Sequence, residues 1–530
     1  MSSTDESFDQ SALVTALLRP DCYPYPVTAV EHMQTHISHL LLAGDYAYKI
    51  KKPVNLGFLD FTSLERRQYY CQQELRLNKR LAPDLYLDCL TIGGDVTHPV
   101  FGLEPAIEYA VRMHRFPQHA RLDRVLVSGG LETRHFERLA RQLACFYGAL
   151  SIAGPAAPFG EPEQVCQPML DDFTYTRPQL SDPADLAILA EVERWTLDAS
   201  ERLRSPLTER KAGGWIRECH GDLHLGNMIL TGEGQVTIFD CIEFNDALRW
   251  IDIINDLAFL TMDLQARGVG HFAQRVLNTW LEFSGDFAGV ALLTYYQVYR
   301  AMVRAKIHAI QASQEGIPEA DRTAACGYCR DYLRLALALT QEPAPFLLVT
   351  HGVSGSGKSH RTGQLMDALP GAIRIRADVE RKRLFGLGPL DDSRSSLGQG
   401  LYTAEASART YQRLLDLADR LLASGRPVLV DATFLKRAHR EPFRRLAARH
   451  GVPFILLECN ASPATLRKRV TVRRARGDDA AEADVAVLEQ QLQSVEPPAP
   501  DEYPLKINGN EDLERLRAAI LAAKEISPEM

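Results

Sequence analysis

A chain of 530 residues is too long for one ordinary hydrophobic core, so two to four domains are expected. With 45% hydrophobic and 24% charged residues, and no apolar run near the ~18 needed to cross a bilayer, the composition is that of a globular protein and excludes a membrane span. The net charge is −8; residues 345–530 hold 28 Lys and Arg against 24 Asp and Glu, a net +4, which leaves −12 for the rest and argues against a nucleic-acid partner.

The first ten residues, MSSTDESFDQ, are acidic and lack an apolar stretch, so they do not read as a secretory leader and the expected location is the cytoplasm. Residues 1–105 contain short apolar runs, HISHLLLAG and YAYKIKK, that predict strands. The second run offers Lys49, Lys51 and Lys52 as partners for nucleotide phosphates. The following helical stretch, YYCQQELRLNKRLAP, supplies Glu74 as the lysine's partner. From about residue 130 to 340 the helical period dominates, as in FERLARQLACFYGAL and YYQVYRAMVRAKIHAI. Ten cysteines are scattered, and the lone C-x-x-C, Cys326 and Cys329, falls in a helical pattern without a second pair. Two helix cysteines, not a zinc site, are expected there, and reduced thiols fit a reducing compartment.

Within that helical region stands HGDLHLGN, residues 220–227. Asp222 is placed to accept the proton of an attacking hydroxyl, and Asn227, on the same loop, to reach a magnesium ion. The next apolar run, QVTIFD, ends in Asp240, a carboxylate suited to a second magnesium contact. His224, Asp252 and Asp256 read as structural, with Asp256 bracing or capping the loop.

The chain changes character at LTQEPAPF, where proline stops the preceding helix and marks a joint between domains 1–340 and 345–530. Beyond it the pattern alternates. FLLVTH, AIRIRA, PVLVDAT, PFILLEC and PLKING predict five strands with helices between them, which means a parallel sheet covered on both faces. After the first strand comes GVSGSGKS: Gly352, Val353, Ser354, Gly355, Ser356, Gly357, Lys358 and Ser359. This loop turns its N–H groups toward phosphates, Lys358 reaches the β- and γ-phosphates, and Ser359 binds magnesium at the start of a helix. Asp431 closes the PVLVDAT strand and is a second magnesium contact. Asp378 follows AIRIRA and can deprotonate an acceptor hydroxyl, while Arg381 or Arg383 could hold an acceptor phosphate. The Arg-rich helix LRKRVTVRRARG reads as a lid, with Arg473 or Arg474 closing over the transferring phosphoryl.

Together, HGDLHLGN, the strand TIFD and the later DLAFL resemble the aminoglycoside phosphotransferase branch of the kinase-like fold. The order of a small β-rich lobe (1–105) and a helical lobe (106–340) is that of the same fold. The resemblance implies Asp222 as catalytic base, Asn227 and Asp240 as metal ligands, and a lysine preceded two residues earlier by Ala; Ala47 and Lys49 match, with Lys51 the close second. Two departures stand out: no G-x-G-x-x-G precedes Lys49, and Cys241 follows Asp240 where protein kinases have Phe-Gly. Residues 345–530 resemble the small P-loop kinases near the gluconate-kinase and polynucleotide-kinase branches. The whole chain resembles bacterial two-domain proteins that join an aminoglycoside phosphotransferase-like domain to a P-loop ATP-binding domain. The implied fold class is α+β and α/β: a two-lobed kinase-like domain, then a P-loop kinase domain on a parallel sheet.

The expected activity is transfer of the ATP γ-phosphoryl, with Mg²⁺, to hydroxyl groups of small molecules by both halves. Three alternatives stand beside it. One is a P-loop ATPase switch with a non-catalytic kinase-like ligand-binding half. The second is a kinase of nucleic-acid 5′ ends, and the third is aminoglycoside resistance.

Overall fold

In the computed structural model, residues 10–525 are described apart from 58, 233, 315, 342, 394–400, 402, 478 and 509–512. The chain forms two compact units. One comprises residues 1–138, 149–165 and 207–260; the other comprises 139–148, 166–206 and 261–530.

The first unit is built on six antiparallel strands: β1 (Val30–Gln34), β2 (Ser38–Ala43), β3 (Tyr46–Lys51), β4 (Tyr86–Gly94), β5 (Pro99–Phe101) and β6 (Ala106–His114), in the order β1-β2-β3-β6-β4-β5. The sheet thus runs past residue 105, because β6 inserts between β3 and β4. Alternation along YAYKIK divides the side chains between two faces. Tyr48 and Ile50 join Leu13, Leu17 and Leu41 in one core. Ala47 packs with Cys71 and Tyr86 on the other face, against helix Leu64–Asn78. That second face also carries Lys49 and Lys51. Ser63 caps the helix, its hydroxyl accepting from Arg66 N at 3.3 Å. Short pairs follow: β7 (Ile216–Glu218) with β10 (Trp250–Asp252), and β8 (Met228–Leu230) with β9 (Val236–Ile238).

The second unit contains the helices Pro183–Arg202, Gly270–Ser284, Val290–Ser313 and Glu319–Thr340 and a five-stranded sheet. Its strands are β11 (Leu347–His351), β12 (Ile373–Arg376), β13 (Val428–Asp431), β14 (Phe454–Asn460) and β15 (Leu505–Asn508). They are all parallel, in the order β12-β13-β11-β14-β15. The five predicted strands and their parallel pairing are present. Their burial is nearly continuous, as sheets covered on both faces require: every residue of β11 and β13 is buried. Cys326 and Cys329 lie in helix Glu319–Thr340, one exposed and one buried. No cluster of three metal-binding side chains occurs among the described residues. No described helix is long and apolar enough to cross a membrane.

Candidate active sites

In the first unit, β3 and helix Leu64–Asn78 bring two lysines to one carboxylate. Lys49 Nζ lies 2.8 Å from Glu74 Oε1 and 2.6 Å from Asp240 Oδ1. Lys51 Nζ lies 2.7 Å from Glu74 Oε2 and also pairs with Glu243. Burial works against charge on Glu74, but the two ammonium groups outweigh it and hold the carboxyl at about 2. The lysines are not equivalent. Lys51 is sealed in, whereas the Lys49 side chain keeps 14% of its surface and faces Asp240, whose side chain is 43% exposed. Of the two lysines, Lys49 is thus the one that reaches an accessible carboxylate. Glu243 lies three residues past Asp240 in the same loop, but nothing local in the sequence announces a partner 192 positions away.

Helix Leu64–Asn78 is fastened in place. Arg76 forms a two-point contact with Glu218 (2.7 and 2.9 Å), Arg80 and Arg249 reach the same carboxylate, and Asn78 Oδ1 accepts from Cys241 N at 2.9 Å. These ties hold in place the helix that carries Glu74.

The loop 220–227 is equally fixed. Asp256, fully buried, accepts from His220 N (3.1 Å) and Gly221 N (2.9 Å), the bracing role read from the sequence. Asp252 is paired with Arg210 at 2.7 Å; His224 Nδ1 accepts from Gly226 N at 3.0 Å, and its Nε2 lies 3.4 Å from Asp222 Oδ2. His220 Nδ1 accepts from Asp222 N at 3.2 Å. Its Nε2–H therefore donates to Phe239 O at 2.9 Å, tying this loop to the segment before Asp240. Asn227 Nδ2 donates to Asp222 Oδ2 at 2.8 Å. Phe239 N donates to Asn227 O at 3.0 Å, which sets Asp240 beside Asn227 at the end of the β8–β9 pair. Asp240 itself adopts φ +66°, a conformation that non-glycine residues seldom take.

In the second unit, the loop 352–359 joins the central strand β11 to helix Lys358–Ala368. Gly352 (φ +144°) has no room for a side chain: a Cβ there would sit 2.5 Å from Cys459 O and 2.7 Å from Ser356 Oγ. Gly357 (φ +100°) opens the helix. Lys358 Nζ donates to Val353 O at 2.9 Å and so lies along the loop; burial lowers its pKa. Ser354 N donates to Gln491 Oε1 at 2.7 Å. Asp431 ends β13, the neighbour of β11. Thr350 Oγ1 donates to Ala432 O (2.6 Å) and Gly352 N to Thr433 O (3.1 Å), which laces the D-A-T segment to the loop.

Ser356 Oγ and Asp431 Oδ2 are buried and find no hydrogen-bond partner among the described residues. Two unsatisfied oxygens beside a buried ammonium fit a metal-bound phosphate group, since buried polar atoms ordinarily have partners. A cavity of about 320 Å³ adjoins this loop, lined by Gly357, His360, Arg361 and Arg469. Another, of about 560 Å³, is lined by Lys468, Arg469, Arg473, Arg476 and Asp479.

The Arg-rich helix spans Pro463–Arg476. Arg473 donates to Ala483 O (3.3 Å) and Arg474 to Glu482 O (3.4 Å), while Arg469, not singled out by the sequence, donates to Gly355 O of the loop itself (3.2 Å). Asp378 is partly exposed and pairs with Arg381 at 2.9 Å. Arg383 points elsewhere. It pairs with Glu380 and donates to Glu282 O, at the C-terminal end of helix Gly270–Ser284, where a cation meets the negative end of the dipole.

Residues 102–293 match the model of the phosphotransferase enzyme family, and residues 347–498 match that of an AAA domain. The chain is 31% identical over 468 residues, 88% of its length, to "Uncharacterized protein Rv2004c" of Mycobacterium tuberculosis, of which 91% is covered. Among solved structures it is similar to a choline/ethanolamine kinase family protein from Mesorhizobium loti (14% identity, 62% of this chain, 98% of that one, TM-score 0.35). It is also similar to the Mycobacterium tuberculosis APS kinase CysC (21%, 34% of this chain, 99% of that one, TM-score 0.25). With its two kinase-like domains in this order, the chain belongs to the family of two-domain proteins, shared with this mycobacterial relative, that join an aminoglycoside phosphotransferase-like domain to a P-loop kinase domain.

Proposed function

We propose that both halves transfer the γ-phosphoryl of ATP to hydroxyl groups of small molecules. One observation carries this reading: each half keeps a partly exposed carboxylate, Asp222 or Asp378, in addition to its buried phosphate-side groups. A nucleotide switch needs the buried groups alone. Asp222 takes the proton of the acceptor hydroxyl, while Asn227 orients it through its 2.8 Å bond. Lys49, released from Asp240, engages the phosphates while Glu74 retains its orientation. In the second half, Lys358 and the loop N–H groups bind the phosphates, Asp378 takes the acceptor proton, and Arg469 and Arg473 offset the charge on the phosphoryl oxygens.

Asn227 and Asp240 in one half, and Ser359 and Asp431 in the other, would hold Mg²⁺. When bound, the ion would supply neutralisation of the charge on the phosphate oxygens. The free thiol state of all ten cysteines agrees with a cytoplasmic location, where ATP is available.

The test is ATP consumption by the full chain with and without a metabolite extract. Turnover that requires the extract and falls in Asp222→Asn and in Lys358→Ala supports the reading. Turnover without acceptor that survives Asp222→Ala supports the ATPase switch instead.

A further inference from the structure

Helix Gly270–Ser284 lies in the stretch matched by the phosphotransferase family, yet one of its faces serves the P-loop sheet. Gln274, Asn278 and Glu282 recur every four residues and so share a face. Gln274 Nε2 donates to Leu369 O (3.0 Å), Asn278 Nδ2 to Ala372 O (3.1 Å), and Asn278 Oδ1 accepts from Arg374 N (2.7 Å). β12 is an edge strand, and Asn278 satisfies its Arg374 N, a group that an edge leaves unpaired, while Gln274 and Asn278 bind carbonyls of the turn before it. Glu282 ends the stripe. It accepts from Arg374 Nη2 at 2.6 Å and from Arg376 Nη1 at 3.3 Å.

Arg376 closes β12, in register with Asp431 on β13. Its Nη2 donates to Asp479 at 2.6 Å, and its Nε lies 3.8 Å from Asp431 Oδ2. A guanidinium beside a buried carboxylate normally closes to a two-point contact near ~2.8 Å. Here it does not, and Asp431 Oδ2 stays unbonded among the described residues. The other two nitrogens are drawn aside, one to Glu282 and one to Asp479.

We propose that Glu282, with Asp479, is a positioning residue that holds Arg376 off Asp431 and so keeps Asp431 Oδ2 open to the metal of the P-loop site. The phosphotransferase-like sequence thereby supplies part of the metal-binding apparatus of the second site. This rests on Asp431 acting as a metal ligand. Without the Glu282 charge, the Arg376 guanidinium closes onto Asp431 and competes with the cation.

The test uses the full chain, with Mn²⁺ as probe and AMP-PNP as nucleotide, and follows bound Mn²⁺ by electron paramagnetic resonance. In an Asp240→Asn background that removes the first site's carboxylate, Ser359→Ala identifies the signal of the second. Glu282→Gln is expected to weaken Mn²⁺ there by about 10–100-fold, as substitutions behind a metal ligand do. Metal-free AMP-PNP affinity should hold. Glu282→Gln/Arg376→Gln should recover most of the loss, which a merely structural role for Glu282 would not allow. Asp479→Asn should shift Mn²⁺ affinity in the same direction, and it decides the matter if Glu282→Gln fails to fold. Unchanged Mn²⁺ affinity in folded Glu282→Gln, or no recovery in the double variant, overturns the inference. If Ser359→Ala leaves the signal untouched, the metal reading of the P-loop site fails first and this inference falls with it.

Discussion

Lys51 and Lys49 stand two residues apart on one strand and share Glu74, yet the structure gives them different work. In Lys51→Met the ammonium between Glu74 and Glu243 disappears from a site where the three side chains are 0%, 0% and 4% exposed. Glu74 keeps Lys49 at 2.8 Å, so the uncompensated charge falls on Glu243, whose pKa burial already raises. Breaking a buried ion pair in this way costs about 3–5 kcal/mol. For a urea dependence of about 2 kcal/mol per molar, the midpoint falls by roughly 1.5–2.5 M. Adding Glu243→Gln should restore a large part of it. Lys49→Met leaves Glu74 paired with Lys51 and Asp240 open to water, so its stability cost should be smaller than that of Lys51→Met, though not zero, because Glu74 Oε1 loses its 2.8 Å partner. Its phosphotransfer by the first half should fall by about 10²–10³-fold, the usual cost of deleting a donor to developing charge. Tryptophan fluorescence reports the unfolding, since all four tryptophans lie between positions 195 and 280. A Lys51→Met protein with wild-type stability and no activity, beside an active Lys49→Met protein, would refute this division.

Other consequences are equally direct. Gly352→Ala places a Cβ 2.5 Å from Cys459 O, so nucleotide affinity of the second half should drop about 10–100-fold, at 1.4 kcal/mol per decade, while the first half retains its own; nucleotide titration of each half's signal checks this. Asp256→Ala strips two buried N–H groups of their acceptor, at about 1–3 kcal/mol each, and a shift of ~1 Å in the 220–227 loop should lower turnover about 10²-fold, read in steady-state kinetics. The Glu74 carboxyl has an ordinary value of 4.5 and is held at about 2 in the fold, so its stabilisation is complete above pH 4.5 and disappears as pH falls toward 2. That span is worth about 3 kcal/mol, at 1.4 per unit, and Glu74→Gln should flatten the acid limb of a urea-midpoint profile between pH 5 and 2, with Glu243 titrating in the opposite sense.

The features legible in the sequence are local. The phosphate loop and its helix, the five strands of the parallel sheet and the H-x-D-x-x-x-x-N loop are each written in a few consecutive residues, because strand period, turn glycines and loop spacing act over short range. AIEYAVRMH lies beyond the 1–105 stretch read as the β-rich lobe and pairs in the middle of its sheet, between β3 and β4, which no neighbouring residue specifies. The same holds for side-chain partners. Glu243 meets Lys51 across 192 positions and Glu282 meets Arg376 across 94, and only packing brings them together. Arg383 is another case: it meets Glu282 O, at the end of helix Gly270–Ser284, across 101 positions. In the Arg-rich helix the charge pattern marks the segment, while the turn that faces Gly355 decides that Arg469 reaches the loop.

The proposed function requires two separately built phosphoryl-transfer sites in one chain. Its most direct test is the set of phosphorylated products formed from ATP and a metabolite extract by wild type, Asp222→Asn and Asp378→Asn, resolved by mass spectrometry. Two product sets, each lost in one variant and kept in the other, are the predicted result. A single set lost equally in both variants, or inorganic phosphate as the sole product in all three, would contradict it.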